Sequence, residues 1–294
     1  MARIRAMRES SVVITGASSG IGWATTQVLV ARGVHVVAGV RRAEDATRLR
    51  EAFGDRVTPQ LLNVTDPESI AGVVAAVSAG LGGMRLSGLV NNAGVAVGGP
   101  LLHLPPDEFR RQLEVNLVGP LLVTQAFLPL LGTDRSRSGA PGRIVNISSV
   151  AGQFGQPFLG AYVASKHGLE GLSASLRREL MIYGVDVIVV GPGAVRTPIW
   201  DKAEQSDMTP YAGSEYAGAL AQMRTAMVET GRKGLPAARI GEVIWKALTT
   251  AHPRTRYTVV PQPLRHGLLS ALPARLVDRI VARRLFGKRW RGEG

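Results

Sequence analysis

The chain of 294 residues contains no cysteine. Disulfide bonds, thiolate metal sites and thiol chemistry are therefore excluded, and the composition is compatible with a reducing compartment. Histidine is scarce as well: the five histidines stand at positions 35, 103, 167, 252 and 266, which is not the spacing of a metal site. We therefore expect no bound metal ion.

Long apolar runs are also lacking. No run approaches the roughly 20 apolar residues that span a bilayer, and the start of the sequence, MARIRAMRESSVVITGASSG, lacks the apolar segment of a secretory signal. The hydrophobic content of 45% is ordinary for a globular protein. We expect a cytoplasmic protein.

Acidic residues are outnumbered, 22 against 35 basic ones, which gives a net charge of +13. Such an excess can indicate a nucleic-acid partner. From Leu264 onward, however, the chain carries +6 in 31 residues, so the excess is concentrated in a tail with few aromatic residues and no known binding module. We expect no nucleic-acid partner.

Short β-branched runs alternate with longer amphipathic patterns. The runs predict seven strands, at 11–15, 34–40, 57–64, 86–92, 143–148, 185–191 and 256–260. Helical patterns lie near 20–32, 67–80, 106–131, 157–183 and 239–250. Apolar strands separated by helices are typical of a parallel sheet covered on both faces. The sequence therefore predicts one doubly wound α/β domain over residues 1–262, followed by an extension at 263–294.

A glycine-rich turn, TGASSGIG, follows the first predicted strand and precedes a helical pattern. Gly16 permits the tight turn, Gly20 lets the backbone approach a pyrophosphate, and Gly22 lets the helix pack closely. The N-terminus of the helix then attracts the phosphates. The turn predicts a dinucleotide site, although a glycine-rich turn alone can be merely structural.

Tyr162 and Lys166 stand four residues apart in AYVASKHGLEGL, within a helical pattern, so both side chains lie on one helix face. A lysine cation beside a tyrosine stabilises the phenolate and lowers the tyrosine pKa from about 10 toward neutrality. Tyr162 could then exchange a proton with a substrate. The alternative is two unrelated residues on a helix surface.

Further motifs decide between these readings: NNAG at 91–94, Asn116 in EVNLVG, Ser149 in NISSVAG, and GPGAVRTP at 191–198. Together with the turn and the Tyr–Lys pair, they resemble the short-chain dehydrogenase/reductase family in order and spacing, from residue 11 to about residue 260. The resemblance implies a Rossmann-type fold and hydride transfer between a nicotinamide cofactor and a hydroxyl or carbonyl group.

The same resemblance implies roles for individual residues. Tyr162 exchanges the proton, Ser149 hydrogen-bonds the substrate oxygen, and Lys166 also reaches the nicotinamide ribose. Asn116 supports a water chain from Lys166 to solvent. Alternatively, Ser149 is a turn residue and Asn116 satisfies a helix kink. The implied cofactor-binding residues are Gly16, Ser18, Ser19, Gly20, Ile21, Gly22, Arg41, Asn63, Asn92, Ala93, Gly94, Tyr162, Lys166, Pro192, Gly193, Val195 and Thr197.

The end of the second strand favours NADP(H) over NAD(H). NAD-binding relatives have an Asp there that holds the ribose hydroxyls, whereas this chain has a valine followed by Arg41 and Arg42. Arg41 can pair with a 2′-phosphate. Against this, two arginines in an arginine-rich chain can be a solvated loop, and Ser18 and Ser19 stand in the turn where many NADP-binding relatives have a basic residue. Asn63 replaces an Asp that faces the adenine in relatives.

The resemblance implies that residues 199–236, after the sixth strand, form a lid over the substrate. Its larger apolar and aromatic residues are Trp200, Met208, Tyr211, Tyr216, Met223 and Met227. These side chains suit a bulky lipophilic alcohol or ketone of steroid, retinoid or long-chain lipid type. They could equally serve to pack the lid onto the domain.

The tail beyond Pro273 has the pattern of a basic amphipathic helix. Its apolar face comprises Leu276, Val277, Ile280, Val281 and Leu285, and its charged face comprises Arg275, Asp278, Arg279 and Arg283. The segment ends in Lys288, Arg289 and Trp290. Such a helix can lie on an anionic membrane surface. Alternatively, it docks on its own domain or on a second subunit.

Relatives commonly pair their fourth and fifth helices, here about 106–131 and 157–183, across a two-fold axis. We therefore expect a homodimer or homotetramer. A rival function is a nonenzymatic protein that senses NADP(H) or binds a partner on the same fold. Its expected mark is a broken Ser, Tyr or Lys, and here the whole set is intact.

Overall fold

The computed structural model describes Met7 and residues 10–287 of the chain. Seven strands form one parallel sheet, in the order β3-β2-β1-β4-β5-β6-β9. The strands are β1 Ser11–Thr15, β2 His35–Val40, β3 Val57–Leu61, β4 Gly88–Asn91, β5 Arg143–Ile147, β6 Asp186–Pro192 and, beyond a short two-stranded ladder described below, β9 Arg256–Val259. The predicted doubly wound α/β sheet of Rossmann type is confirmed.

Helices cover both faces of this sheet. They are α1 Gly20–Val30, α2 Ala43–Phe53, α3 Pro67–Gly80, α4 Pro106–Leu113, α5 Gly119–Leu128, α6 Gly160–Glu179, α7 Ile199–Glu204, α8 Ala217–Arg232, α9 Ala237–Thr249, α10 Pro263–Ser270 and α11 Ala274–Phe286. A π-helical turn, Glu114–Val118, joins α4 to α5. The long helical stretch predicted at 106–131 is therefore continuous, with a widened turn in its middle.

The alternation of side chains along each strand builds two cores. In β1, Val12 and Ile14 enter one core with Ile240 and Ile244 of α9, and Val13 enters the other with Phe127 of α5. Successive strand residues point to opposite faces, so a strand covered on both faces has to be apolar throughout. The near-continuous Val and Ile runs are explained by this double burial.

The order of the strands reverses between β1 and β4. In open parallel sheets, ligands bind outside the carboxyl ends of the strands at such a point, because the connections there leave in opposite directions and open a crevice. The glycine-rich turn follows β1, and the NNAG motif follows from the end of β4. Both motifs therefore border the same crevice.

The sequence patterns missed helix α2, which lies between β2 and β3. Only Ala46 and Leu49 of this helix are buried, and most of its other residues are polar or charged. An amphipathic pattern with so few apolar positions gives a weak periodicity, although Glu44 and Asp45 in its first turn favour a helix start.

The predicted lid contains α7 and α8, and its ends are joined by a short parallel ladder between β7 (Val195–Arg196) and β8 (Leu235–Pro236). The extension forms two helices, α10 and α11, and α11 packs against α8. Ala282 on α11 is buried, while Leu276 and Ile280 remain 42% and 50% exposed. Lys288, Arg289 and Trp290 lie outside the described residues.

Among the described residues, one helix, Pro106–Thr133, is long and apolar enough to cross a membrane. This corrects the expectation that no run comes near that length. Half of its most apolar 18-residue stretch is buried inside the protein, as in the core helix of a globular protein. Length and composition alone are therefore weak evidence for a membrane span. In the described part of the chain, no group of three or more His, Asp or Glu side chains could hold a metal ion.

Candidate active site

The glycine-rich turn has the shape that the sequence predicts. Gly16 and Gly20 adopt φ angles of +65° and +55°, which side chains disfavour. A Cβ added at Gly22 would lie 2.3 Å from the carbonyl oxygen of Gly16, so α1 packs directly onto the turn. Ser19, the N-cap of α1, makes no side-chain cap. The first amides of α1, from Gly20 to Gly22, therefore have no side-chain cap and make the start of this helix a candidate anion site.

The turn after β1 is tied to the turn after β4. The hydroxyl of Thr15 accepts hydrogen bonds from the backbone amides of Asn92 (3.0 Å) and Ala93 (2.9 Å). In return, the side-chain amide of Asn92 donates to the carbonyl oxygens of Thr15 and Gly16, both at 2.9 Å. The side chain of Asn92, predicted to bind cofactor, thus holds the glycine turn in place. Thr15 was not predicted, because its hydroxyl is buried in a strand.

Tyr162 and Lys166 lie together on α6, next to the end of β5. Lys166 is 5% exposed, and its ammonium donates to the carbonyl oxygen of Ile147 at 2.8 Å. It also lies 5.8 Å from the centroid of the Tyr162 ring. The predicted pairing on one helix face is present, with the lysine anchored to the sheet.

Ser149 rather than Ser148 is open to the crevice. Ser148 is buried, and its hydroxyl packs against Gly152 without a hydrogen-bond partner among the described residues. The hydroxyl of Ser149 accepts from the amide of Ala151 (3.1 Å) and is 3.5 Å from the carbonyl oxygen of Pro192. Ser149 therefore caps a short turn and also presents its hydroxyl toward Tyr162.

Burial dominates the proton affinities of the pair. It raises the pKa of the Tyr162 hydroxyl above 10.0, and the hydrogen bond with Ser149 opposes this rise. Burial also lowers the pKa of Lys166 from 10.5 to about 8, while the carboxylate of Glu170 raises it. The ammonium of Lys166 is directed at the carbonyl oxygen of Ile147, so the effect that we expect it to have on the pKa of Tyr162 stays a prediction.

Asn116 is fully buried in the π-helical turn between α4 and α5. Its side-chain oxygen accepts from the amide of Val95 at 2.8 Å. Its side-chain nitrogen donates to the carbonyl oxygen of Val95 (2.8 Å) and to the hydroxyl of Ser165 (3.0 Å). A Cβ added at Gly94 would lie 3.2 Å from Asn116 and 3.8 Å from Lys166. Asn116 therefore joins the segment after β4 to the helix of Lys166.

Arg41 and Asn63 meet at the outer end of the crevice. Both line a shallow cavity of about 380 Å³, together with Leu61, Leu62 and Ser69. Arg41 is exposed. The side-chain oxygen of Asn63 accepts from the amide of Thr65 at 3.2 Å, which leaves the Asn63 side-chain amide free to donate.

The segment after β6 closes the opposite side of the crevice. The amide of Gly193 donates to the carbonyl oxygen of Val259 at 2.9 Å, and Val195 begins the ladder with β8. A Cβ added at Gly20 would lie 3.1 Å from the side chain of Thr197. The structure therefore brings Thr197 directly over the glycine turn.

The sequence profile described as short chain dehydrogenase matches residues 10–208. The chain belongs to this family. The match covers the glycine turn, the NNAG motif, Ser149 and the Tyr162–Lys166 pair, which the fold gathers around one crevice.

Individual short-chain dehydrogenases resemble this chain over most of its length. The NADPH-dependent 3-dehydrocapnine reductase of Ornithobacterium rhinotracheale is 38% identical over 91% of this chain and 94% of its own length. Retinol dehydrogenase 5 of Mus musculus is 37% identical over 93% and 88%. The crystal structure of a short-chain dehydrogenase from Streptomyces avermitilis superposes with a TM-score of 0.73 at 29% identity, over 94% of this chain and 97% of that one.

As a short-chain dehydrogenase, the protein is an NAD(P)-dependent oxidoreductase. The residues around the crevice fit a nicotinamide dinucleotide. The glycines leave a cradle that a Cβ would fill at Gly16, 2.9 Å from Ala93, and the uncapped start of α1 faces it. The glycine turn follows the carboxyl end of β1 and the Tyr162–Lys166 pair lies next to that of β5, with β4 between the two strands, so one extended ligand can reach both.

Two further residues of this short-chain dehydrogenase border the site and were not predicted. Arg256 of β9 donates to the carbonyl oxygen of Ser149 at 3.3 Å and to the carboxylate of Glu170. Glu170 stands one helical turn beyond Lys166. The only sequence signal was the helical spacing from Lys166 to Glu170, because Arg256 reaches the site through the pairing of β9 with β6.

Proposed function

We propose that this short-chain dehydrogenase interconverts a hydroxyl and a carbonyl group on a lipophilic substrate with NADP(H), and that Tyr162 is its acid/base. One observation carries the proposal: the ring of Tyr162 lies 5.8 Å from the ammonium of the buried Lys166, and its hydroxyl is hydrogen-bonded with Ser149. This arrangement supports a proton donor and a hydrogen-bond donor that act on one substrate oxygen.

The nicotinamide, when bound, supplies or accepts the hydride. Tyr162 then has to supply the proton to a carbonyl oxygen, and its raised pKa keeps that proton in place at neutral pH. Ser149 donates to the same oxygen and stabilises the charge that develops on it. In oxidation, Tyr162 accepts the proton of the alcohol.

Lys166 resupplies the proton that Tyr162 gives away. Its pKa of about 8 lets it hold a proton at neutral pH and release it readily. The side-chain amide of Asn116 makes its hydrogen bonds to Val95 and Ser165, so we propose that it supports the relay by fixing the backbone beside Lys166. The Asn116 side chain does not itself transfer a proton.

Preference for NADP(H) is supported by the end of β2. No carboxylate stands there, and Arg41 lines the outer cavity with Asn63. A guanidinium binds a phosphate through two parallel hydrogen bonds, whereas it gains little from a neutral ribose hydroxyl. The relative from Ornithobacterium rhinotracheale is NADPH-dependent.

A lipophilic substrate is supported by aromatic contacts between the lid and the segment that precedes α6. Phe158 adopts a φ of +62°, a strained conformation for a bulky residue, and its carbonyl oxygen accepts from the amide of Gly99 at 2.8 Å. Its ring contacts Tyr216 of the lid, with centroids 5.8 Å apart, and Tyr216 also contacts His103 at 6.0 Å. We propose that these rings, which come from three segments, line the substrate position.

Two other lid residues pack rather than line the cleft. The indole of Trp200 donates to the carbonyl oxygen of Val195 at 2.7 Å and covers Gly231, and Tyr211 is buried against Gly99. We propose that they anchor the lid while Tyr216 faces the substrate. The mouse relative is a retinol dehydrogenase, and retinol is an apolar alcohol.

We further propose a cytoplasmic protein that contacts an anionic membrane through its extension. Leu264 and Leu268 of α10 are 86% and 73% exposed. His266, on the same helix, contacts the ring of Phe154 beside the active site, with centroids 5.5 Å apart. Exposed leucines next to a basic tail suit a lipid surface. The contact would bring the cleft to substrates dissolved in lipid.

We propose that the helical stretches at about 106–131 (α4 and α5) and 157–183 (α6) pair across a two-fold axis in a homodimer or homotetramer. Half of the apolar window within Pro106–Thr133 is not buried in the monomer. An apolar helix face of this kind on a globular chain suits a subunit interface.

The experiment that tests this function is oxidation of NADPH and of NADH by the purified protein. The carbonyl panel consists of a steroid ketone, all-trans-retinal, a long-chain aliphatic ketone and, as the polar control, a short hydroxyketone. We expect turnover with NADPH at least about tenfold above that with NADH, and highest for a lipophilic carbonyl. Preference for NADH, or for the polar control, would overturn the corresponding half of the proposal.

A further inference from the structure

Arg48, on the unpredicted helix α2, reaches the glycine turn from outside. Its guanidinium donates to the carbonyl oxygen of Ser18, in the middle of the turn. The same guanidinium lies over the ring of Trp23, 5.1 Å from the centroid. Trp23 follows Gly22 at the start of α1 and packs against Phe53. Arg48 is therefore held between the turn and α1.

The guanidinium of Arg48 lies near the end of β2, because it contacts the glycine turn that packs there. The amide of Ala17 donates to the carbonyl oxygen of Gly39 at 3.0 Å, so the turn and the last residues of β2 lie side by side. In this fold the adenosine ribose lies between those two segments. Arg41 approaches this space from β2, and Arg48 approaches it from α2.

The charge around this space is positive. Asp45 lies between two arginines: its oxygens are 3.5 Å from Arg42 and 3.2 Å from Arg48. Glu44 adds a second, exposed carboxylate, so the segment from Arg41 to Arg48 carries three arginines and two acidic residues. The two polar contacts of Arg48, with Ser18 and Asp45, both use Nη2, and its side chain is 55% exposed. Its remaining N–H groups have no partner among the described residues and are free to bind an anion.

We propose that Arg48 binds the 2′-phosphate of NADP(H) together with Arg41, and so supplies the positive charge that Ser18 and Ser19 do not. The proposal rests on the proposed preference for NADP(H). It names a specificity-determining residue that comes from a neighbouring helix instead of the turn. The bond to Ser18 and the stacking on Trp23 hold the guanidinium in place before the ligand binds, which reduces the entropy lost on binding.

The test compares Arg48→Met with Arg41→Met and with a matched control, Arg50→Met. Arg50 is exposed on the same helix and lines the neighbouring cavity, which shares Leu61 and Ser69 with the cavity of Arg41 but contains neither Arg41 nor Asn63. Dissociation constants are measured for NADPH and NADH by cofactor fluorescence, and for 2′,5′-ADP and ADP by calorimetry. The last two ligands differ in the position of one phosphate, and neither needs a working active site.

We expect Arg48→Met to raise the Kd of NADPH and of 2′,5′-ADP about tenfold, and to change those of NADH and ADP less than about twofold. Arg50→Met should leave all four constants unchanged. If Arg48 serves only to brace the turn, its variant will weaken NADPH and NADH by the same factor, which contradicts the proposal. Unchanged binding of all four ligands contradicts it as well.

The same measurements distinguish failure of the NADP(H) preference from failure of the role of Arg48. If wild-type protein prefers NADPH and only Arg41→Met removes that preference, NADP(H) dependence stands and the role of Arg48 is wrong. If wild-type protein binds NADH as well as NADPH, both fail. Circular dichroism of each variant confirms that a change in Kd does not come from misfolding.

Discussion

The carboxylate of Glu170 accepts a bifurcated hydrogen bond from Nε of Arg256, which lies 3.1 and 3.2 Å from its two oxygens. This pair links the last strand of the sheet to the helix that carries Tyr162 and Lys166. Space for it exists because residue 191 is glycine: a Cβ there would lie 2.3 Å from the guanidinium. The negative charge that raises the pKa of Lys166 is thus fixed in position by a strand distant in sequence.

Replacing Glu170 by Gln should move the pH dependence of catalysis. Burial disfavours the charged form of Lys166 and brings its pKa from 10.5 down to about 8, and Glu170 opposes that fall. We predict that kcat/KM for carbonyl reduction declines above about pH 8 in the wild type, and that the decline begins at lower pH in Glu170→Gln. The measurement is a pH profile of kcat/KM, which reports the free enzyme.

Glu179→Gln is the control for that profile. Glu179 lies at the exposed end of the same helix, away from Lys166. Its variant should reproduce the wild-type curve. Identical curves for Glu170→Gln and the wild type would show that Glu170 does not set the proton affinity of Lys166.

Gly22→Ala should destabilise both the fold and the cofactor site. The added methyl group would lie 2.3 Å from the Gly16 oxygen and 2.7 Å from the side-chain nitrogen of Asn92, so α1 has to move away from the turn. We predict a loss of about 1–3 kcal/mol in the free energy of unfolding and weaker NADPH binding. Urea unfolding and a fluorescence titration measure the two effects.

Gly72→Ala provides the comparison. Gly72 lies in the middle of α3, and a Cβ there would meet nothing within 4 Å. This variant should gain about 0.5–1 kcal/mol, because alanine loses less backbone entropy in a helix. Equal stability of the two alanine variants would refute the close packing at Gly22.

The double variant Leu264→Glu/Leu268→Glu should release the protein from anionic vesicles. Both leucines are exposed on α10, and two carboxylates there would remove apolar contact and repel the lipid headgroups. We predict that wild-type protein floats with phosphatidylserine vesicles at low salt and that most of the double variant does not.

A matched surface change separates this effect from a general one. Met181 and Ile182 are 63% and 73% exposed in the turn before β6, at the amino end of the sheet. Met181→Glu/Ile182→Glu should float as the wild type does. A wild type that does not float, or a control pair that loses binding equally, would rule out α10 as the membrane contact.

The sequence predicted the sheet well because its strands are buried on both faces. Val12, Val13 and Ile14, the three central residues of β1, are fully buried and apolar, and such a run is easy to recognise. Helix α2 was missed because only Ala46 and Leu49 are buried on it. Arg48 was missed with it.

The candidate site was predicted where local motifs carry it and missed where distant strands and helices meet. Tyr162 and Lys166 lie one turn apart on a single helix, so spacing alone places them together. Arg256 reaches Ser149 only because β9 pairs with β6, with Arg256 opposite Val189. The anchoring of Lys166 on Ile147, which redirects its charge, also depends on tertiary packing.

The most direct test of the central claim is single-turnover reduction by Tyr162→Phe, with NADPH binding measured on the same sample. The substitution removes one hydroxyl and keeps the ring that lies 5.8 Å from the Lys166 ammonium. We predict that Tyr162→Phe lowers the rate of carbonyl reduction at least about 100-fold, as for removal of a general acid, with a nearly unchanged Kd for NADPH. A variant that binds NADPH and reduces the carbonyl at the wild-type rate would contradict the assignment of Tyr162 as the proton donor.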